Sequence, residues 1–137
     1  MLRYRIIEDL TSDVMFEAYG KGIRDVYENA ALAMFSIICD LSRVRPKKAV
    51  DVEVRGKGRR EIMLNWLQRL ISLVDTEGMF FAKFDILHAD NASLKARIWG
   101  EGITPGKGGT VVKAVTYHKY MFRKVPDGYK VRATLDI

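Results

Sequence analysis

Between Arg24 and about Leu41, the residues Val26, Ala30, Met34, Ile37, Ile38 and Leu41 recur at three- and four-residue spacing. That period predicts one apolar stripe of a helix, with Arg24, Glu28 and Asp40 on its polar face. Pro46, inside the basic cluster "RVRPKK", then forbids helix, because proline lacks the amide donor and biases the residue before it away from helical torsions. A second stripe, Met63, Trp66, Leu67, Leu70 and Val74, predicts another helix from about Glu61 to Asp75, with Gly78 as its natural stop.

Elsewhere the period is two. In "AVDVEV", Val50, Val52 and Val54 alternate with Asp51 and Glu53, and "RGKGRR" after it reads as a turn or bulged hairpin end. "MFFAKFDILHAD" and "ASLKARIWGEG" read as paired strands joined at Asp90 and Asn91, with Leu94, Ala96 and Ile98 alternating with Lys95, Arg97 and Trp99. "ITPGKGGT" reads as a flexible loop, and the last 27 residues as two or three strands with "PDG" as a turn. Asp13 opens a further strand in which Val14, Phe16 and Ala18 alternate with Met15, Glu17 and Tyr19. Turns this short do not allow parallel crossovers. The expected fold is therefore α+β: a two-layer sandwich with a mostly antiparallel sheet and two main helices on one face. Residues 1–137 are expected to form one domain, without repeats or linkers.

With 48% hydrophobic and 29% charged residues, the chain can bury a core, and a disordered segment is excluded. The 23 Lys and Arg against 17 Asp and Glu leave a net charge of +6, which favours encounter with phosphate-rich or acidic partners. Cys39, the sole cysteine, lies in the apolar run "ALAMFSIICDL" and is expected to be buried packing in a reducing, cytoplasmic setting. That run is too short to span a bilayer, and "MLRYRIIEDL" lacks the unbroken apolar core of a signal peptide, so no membrane contact or export is expected.

Candidate chemistry is sparse. One cysteine with His88 and His118 far apart does not assemble a zinc site. No serine sits in a glycine-flanked elbow, and "GKGGT" lacks both the lysine-serine ending and the following helix of a phosphate loop, so a mobile loop is the better reading. The basic clusters around Arg3, Arg5, Arg45, Lys47, Lys48, Arg55, Lys57, Arg59 and Arg60 could neutralise phosphates. A solvated surface explains them as well, and no RNP sequence or GXXG clamp accompanies them.

The closing strand is more informative. Tyr129, Val131, Ala133, Leu135 and Ile137 fall on one face, and Lys130, Arg132, Thr134 and Asp136 on the other. With Ile137 anchored, its oxygens lie beside the Asp136 side chain, and two carboxylates held this close repel unless a cation or a basic group intervenes. A salt bridge from Lys or Arg is the leading explanation on residue pattern. An oxygen-only site for calcium or magnesium that also uses Asp13 is the other.

Six blocks, "DLTSDVMFEAYG", "ENAALAMFSIICDLSRV", "WLQRLISLVDTEGMFF", "GEG", "VKAVTYHKY" and "VRATLDI", together resemble the archease family in order and over nearly the whole chain. The resemblance implies a non-enzymatic accessory protein that activates the RtcB-type tRNA-splicing RNA ligase. It would promote guanylylation of the ligase, support multiple turnover and broaden its nucleotide use. A divalent cation, usually calcium, is implied, with Asp13, Asp136 and the main-chain or terminal oxygen of Ile137 as ligands, and Lys113 as a functional lysine. The implied partner is the ligase, with an indirect or weak RNA contact at most and no DNA. Leu10 and Ser12 stand where members often carry histidine and alanine, so no role passes to that histidine. A small basic RNA-binding or chaperone-like module is the alternative.

Overall fold

The computed structural model describes residues 2–9 and 11–137, with the side chains of Glu8 and Asp9 excepted. Seven strands and two long helices follow in the order β1 (Tyr4–Asp9), β2 (Asp13–Gly20), α1 (Ile23–Ile38), β3 (Lys48–Arg55), α2 (Arg59–Glu77), β4 (Met79–Ala89), β5 (Ser93–Gly102), β6 (Ala114–Val125) and β7 (Gly128–Asp136). Every strand pairing among the described residues is antiparallel, and the short connections β1-β2, β4-β5 and β6-β7 require it for those three pairs. The strands divide into two sheets, ordered β1-β2-β7-β6 and β3-β5-β4. Both helices pack against strands of both sheets, so the α+β architecture holds and each sheet keeps one face for the core.

The apolar stripes predict the core well. Val26, Ala30 and Met34 of α1 and Met63, Trp66, Leu67 and Leu70 of α2 are fully enclosed with Phe16, Phe81, Ile98, Val131, Ala133 and Leu135 from the sheets. Trp66 also donates from Nε1 to the carbonyl of Tyr27 at 3.0 Å, which satisfies its one polar atom in the interior and ties the helices together. Ile137 packs at the core edge, as the alternation of the last strand predicts.

Three differences have physical causes. α1 ends at Ile38 rather than about Leu41, because Cys39 turns extended and forms a β-bridge with Gly108. The glycine-rich segment is accordingly pinned: Gly109 N donates to Ile38 O at 2.8 Å and Thr110 N to Ile37 O at 2.9 Å. A Cβ on Gly109 would stand 2.5 Å from Ile37 O, so this close approach needs glycine. β1 is an edge strand whose alternation is broken by a register shift between Ile6 and Glu8, which hides it from a period-two reading.

Gly128 closes the β6-β7 hairpin at φ +142° against Gly20 O, confirming "PDG" as the turn. Cys39 is buried, its Sγ donating to Phe35 O at 3.3 Å, and burial pushes its thiol pKa up to about 12. Among the described residues no helix is long and apolar enough to cross a membrane.

Candidate functional site

The β2-β7 pairing sets one outward row of side chains on each strand. Asp13 lies opposite Asp136, Met15 opposite Thr134, Glu17 opposite Arg132 and Tyr19 opposite Lys130. Ile137 N donates to Ser12 O at 3.1 Å, which flanks Asp13 and Asp136 and makes them a non-hydrogen-bonded pair. Residues so placed have Cα atoms about 4.5 Å apart and the closest side-chain approach a ladder allows. Lys113 joins them, because its backbone N donates to Asp136 O at 2.8 Å just before β6 begins.

The four predicted positions, Asp13, Lys113, Asp136 and Ile137, therefore meet at one tip, formed by the start of β2, the end of β7 and the entry to β6. Both aspartates are half-buried, and Lys113 is exposed. Among the described residues no ion pair reaches either aspartate, so the salt bridge that the residue pattern favours for Asp136 is absent there. No cluster of three acidic, histidine or cysteine side chains exists among the described residues either. The groups that could hold a cation at this tip are the carboxylates of Asp13 and Asp136 and the main-chain oxygen of Ile137, all hard oxygen donors. Donors of this chemistry would suit a calcium-like cation rather than a thiolate- or imidazole-seeking one. Leu10 lies outside the described residues.

Farther along the same row the charge is settled internally. The side chain of Glu17 is only 1% exposed. Its Oε2 accepts from Arg132 Nε at 3.0 Å and Nη2 at 2.8 Å, and its Oε1 from Arg5 Nη2 at 3.1 Å and Tyr19 OH at 2.8 Å. Lys130 Nζ stands 3.5 Å away. Burial alone pushes this carboxyl up, but the bonds from Arg132, Tyr19 and Arg5 and the charge of Lys130 outweigh it and hold the pKa at about 2. Sequence reasoning places Glu17 correctly in the alternation and misses its burial, because only the register reveals that two arginines from other strands converge on it.

A cavity of about 460 Å³ lies at the opposite end of β2 beside α1 and β4. Glu28 lines it, and burial pushes its carboxyl up even though it accepts from Ile86 N at 2.9 Å. Distance from the tip separates this cavity from the predicted site.

Relatives match this chain over nearly all of its length. Residues 4–137 match the model of the Archease protein family (MTH1598/TM1083). Protein archease of Saccharolobus islandicus is 36% identical over 131 residues, covering 93% of this chain and 94% of its own. Protein archease of Sulfurisphaera tokodaii is 34% identical over 130 residues, covering 93% and 94%. The solution structure of Methanobacterium thermoautotrophicum protein 1598 superposes with a TM-score of 0.83 at 33% identity, covering 98% of each chain. At 20% identity, the crystal structure of a Thermotoga maritima archease described as a possible chaperone shares the fold, with a TM-score of 0.63 and 97% of each chain covered. A family match over residues 4–137, relatives above 30% identity and a shared fold together mean that this chain belongs to the archease family.

Proposed function

We propose that this chain is a non-enzymatic activator of the RtcB-type tRNA-splicing RNA ligase, promoting its guanylylation and multiple turnover in the cytoplasm and broadening its nucleotide use. The observation that carries the reading is the convergence of Asp13, Asp136, Ile137 and Lys113 at one tip of a chain in the archease family. Two like charges directly opposite on adjacent strands cost stability, and a fold keeps such a pair when something outside it uses the charge.

Asp13, Asp136 and the main-chain oxygen of Ile137 would hold a divalent cation, calcium by donor type. When bound, the cation supplies the positive charge that quiets the aspartate pair. The chain's own contribution is positional. Ile137 is seated at the core edge and Ser12 is tied to its amide, so the tip is held in place by the sheet. Lys113, exposed and tied through its backbone to Asp136, would offer an ammonium suited to a nucleotide phosphate or a ligase carboxylate. Nucleotidyl transfer depends on charge stabilisation and orientation, which a preorganised tip seated at the ligase active site would provide.

The test is guanylylation of the cognate ligase with GTP, with and without this protein. The expected result is faster guanylylation and several sealing events per ligase, with Lys113→Ala losing most of the stimulation while remaining folded. A ligase that reaches the same rate and turnover without the protein contradicts the reading.

A further inference from the structure

Beside the tip, β6 leaves register with β7 between Thr116 and Met121, so that Tyr117 to Tyr120 stand opposite Ala133 alone. The excursion is held firmly. His118 N donates to Thr116 Oγ1 at 3.2 Å, and Thr134, itself 1% exposed, donates from Oγ1 to His118 O at 2.8 Å. Lys119 is held at φ +54°, a left-handed conformation that side chains rarely adopt. Bulges on edge strands re-aim side chains, and strain of this kind collects at functional positions.

What the bulge presents is an aromatic ring among cations. Tyr117 is 79% exposed, which hydrophobic burial does not explain. With Tyr120 it borders an open cleft of about 280 Å³, whose other walls are Lys57, Arg60, Glu61 and Leu64. Tyr120 OH donates to Arg60 O at 2.8 Å, and the Arg60 guanidinium lies 6.0 Å from the Tyr120 ring centroid, so the back of the cleft is ordered. Among the described residues, Lys57, Arg60 and Lys119 form no ion pair. Glu61, the one acid in the cleft wall, accepts from Lys57 N at 3.3 Å.

We propose that this cleft binds single-stranded RNA, with a base stacked on Tyr117 and the flanking phosphates on Lys57 and Arg60. An exposed aromatic face bordered by unpaired cations suits a strand whose bases are splayed out, whereas the bases of a duplex are stacked out of reach. An acidic protein segment would use the cations and leave the ring without a role. Tyr117 lies three residues along β6, about 10 Å of strand, from Ala114, which pairs with Asp136. The cleft would steer an RNA end toward whatever the tip engages. That the strand is RNA rests on the ligase reading; the stacking and phosphate contacts do not.

The experiment uses the full chain without ligase, titrated into a fluorescently labelled single-stranded RNA decamer and followed by anisotropy at several salt concentrations. Wild type is expected to bind, with affinity falling as salt rises. Lys57→Gln with Arg60→Gln should lower the salt slope by about 1.4, the counterion release of two single-strand phosphates. Tyr117→Ala should weaken binding about tenfold at every salt concentration with the slope unchanged, and Tyr117→Phe should restore it. No binding by wild type at low salt, a Tyr117→Ala variant that binds like wild type, or an RNA duplex that binds as tightly as the single strand would each overturn the site. Displacement of the RNA by polyglutamate together with an inert Tyr117→Ala would assign the cleft to an acidic partner instead and equally overturn it. Binding without any stimulation of the ligase would leave the site standing and remove only the ligase reading.

Discussion

Glu17 and Asp13 sit four residues apart on one strand and point to the same side, yet their charges meet opposite fates. Glu17 is enclosed, bound by two guanidiniums and a phenol, and answered by β1 and β7 on either side. Asp13 faces Asp136, another acid, and neither has an ion pair among the described residues. One carboxylate is therefore committed to holding the sheet together, while the pair at the end of the row costs the sheet something. Fold stability accounts for the first arrangement and not for the second, and on that contrast rests the proposal that the tip is where the molecule meets something else.

The contrast can be broken at either end. Glu17→Gln should have the largest effect, a loss of about 3 kcal/mol at neutral pH, since it removes the charge on which Arg5, Arg132 and Lys130 converge. Urea unfolding at pH 7 measures it. The pH dependence carries its own sign. Because the folded pKa of Glu17 is lowered to about 2, its contribution is fully present above the ordinary glutamate range and drains away as pH falls toward 2. Wild type and Glu17→Gln should thus converge in stability at the acid end.

Calcium comes next: at about 100 times its dissociation constant it should stabilise wild type by about 2.7 kcal/mol and leave Asp13→Asn unmoved, as thermal melts with calcium or EDTA would read. Smaller again, Asp136→Asn without cation should raise stability by about 0.5 kcal/mol, because a like-charge pair is relieved. An Asp136→Asn variant that instead loses as much as Glu17→Gln would erase the distinction between the two regions.

Legibility in the sequence followed the same division. Period-two and helical stripes were enough to place both helices, the antiparallel pairing and the inward row of β7, because those positions are decided by burial, which hydropathy records directly. Asp136 and Ile137 were visible as a geometric oddity of the last strand, and the family resemblance joined Asp13 and Lys113 to them. Hidden were the features set by partners distant in the chain. The buried state of Glu17 depends on Arg5 and Arg132 arriving from β1 and β7, and the early end of α1 depends on Gly108. The β6 bulge depends on Thr134 reaching back to His118, while locally "VTYHKY" contains no glycine, proline, asparagine or aspartate to mark a break in the strand.

The central claim is that the aspartate pair is kept for use outside the fold. It is tested most directly by guanylylation of the cognate ligase in the presence of wild type and of Asp136→Asn, both shown by melting to be folded. The account predicts that Asp136→Asn is at least as stable as wild type without cation and has lost stimulation by more than about tenfold, a change of about 1.4 kcal/mol in transition-state stabilisation. Full stimulation by a folded Asp136→Asn would contradict it.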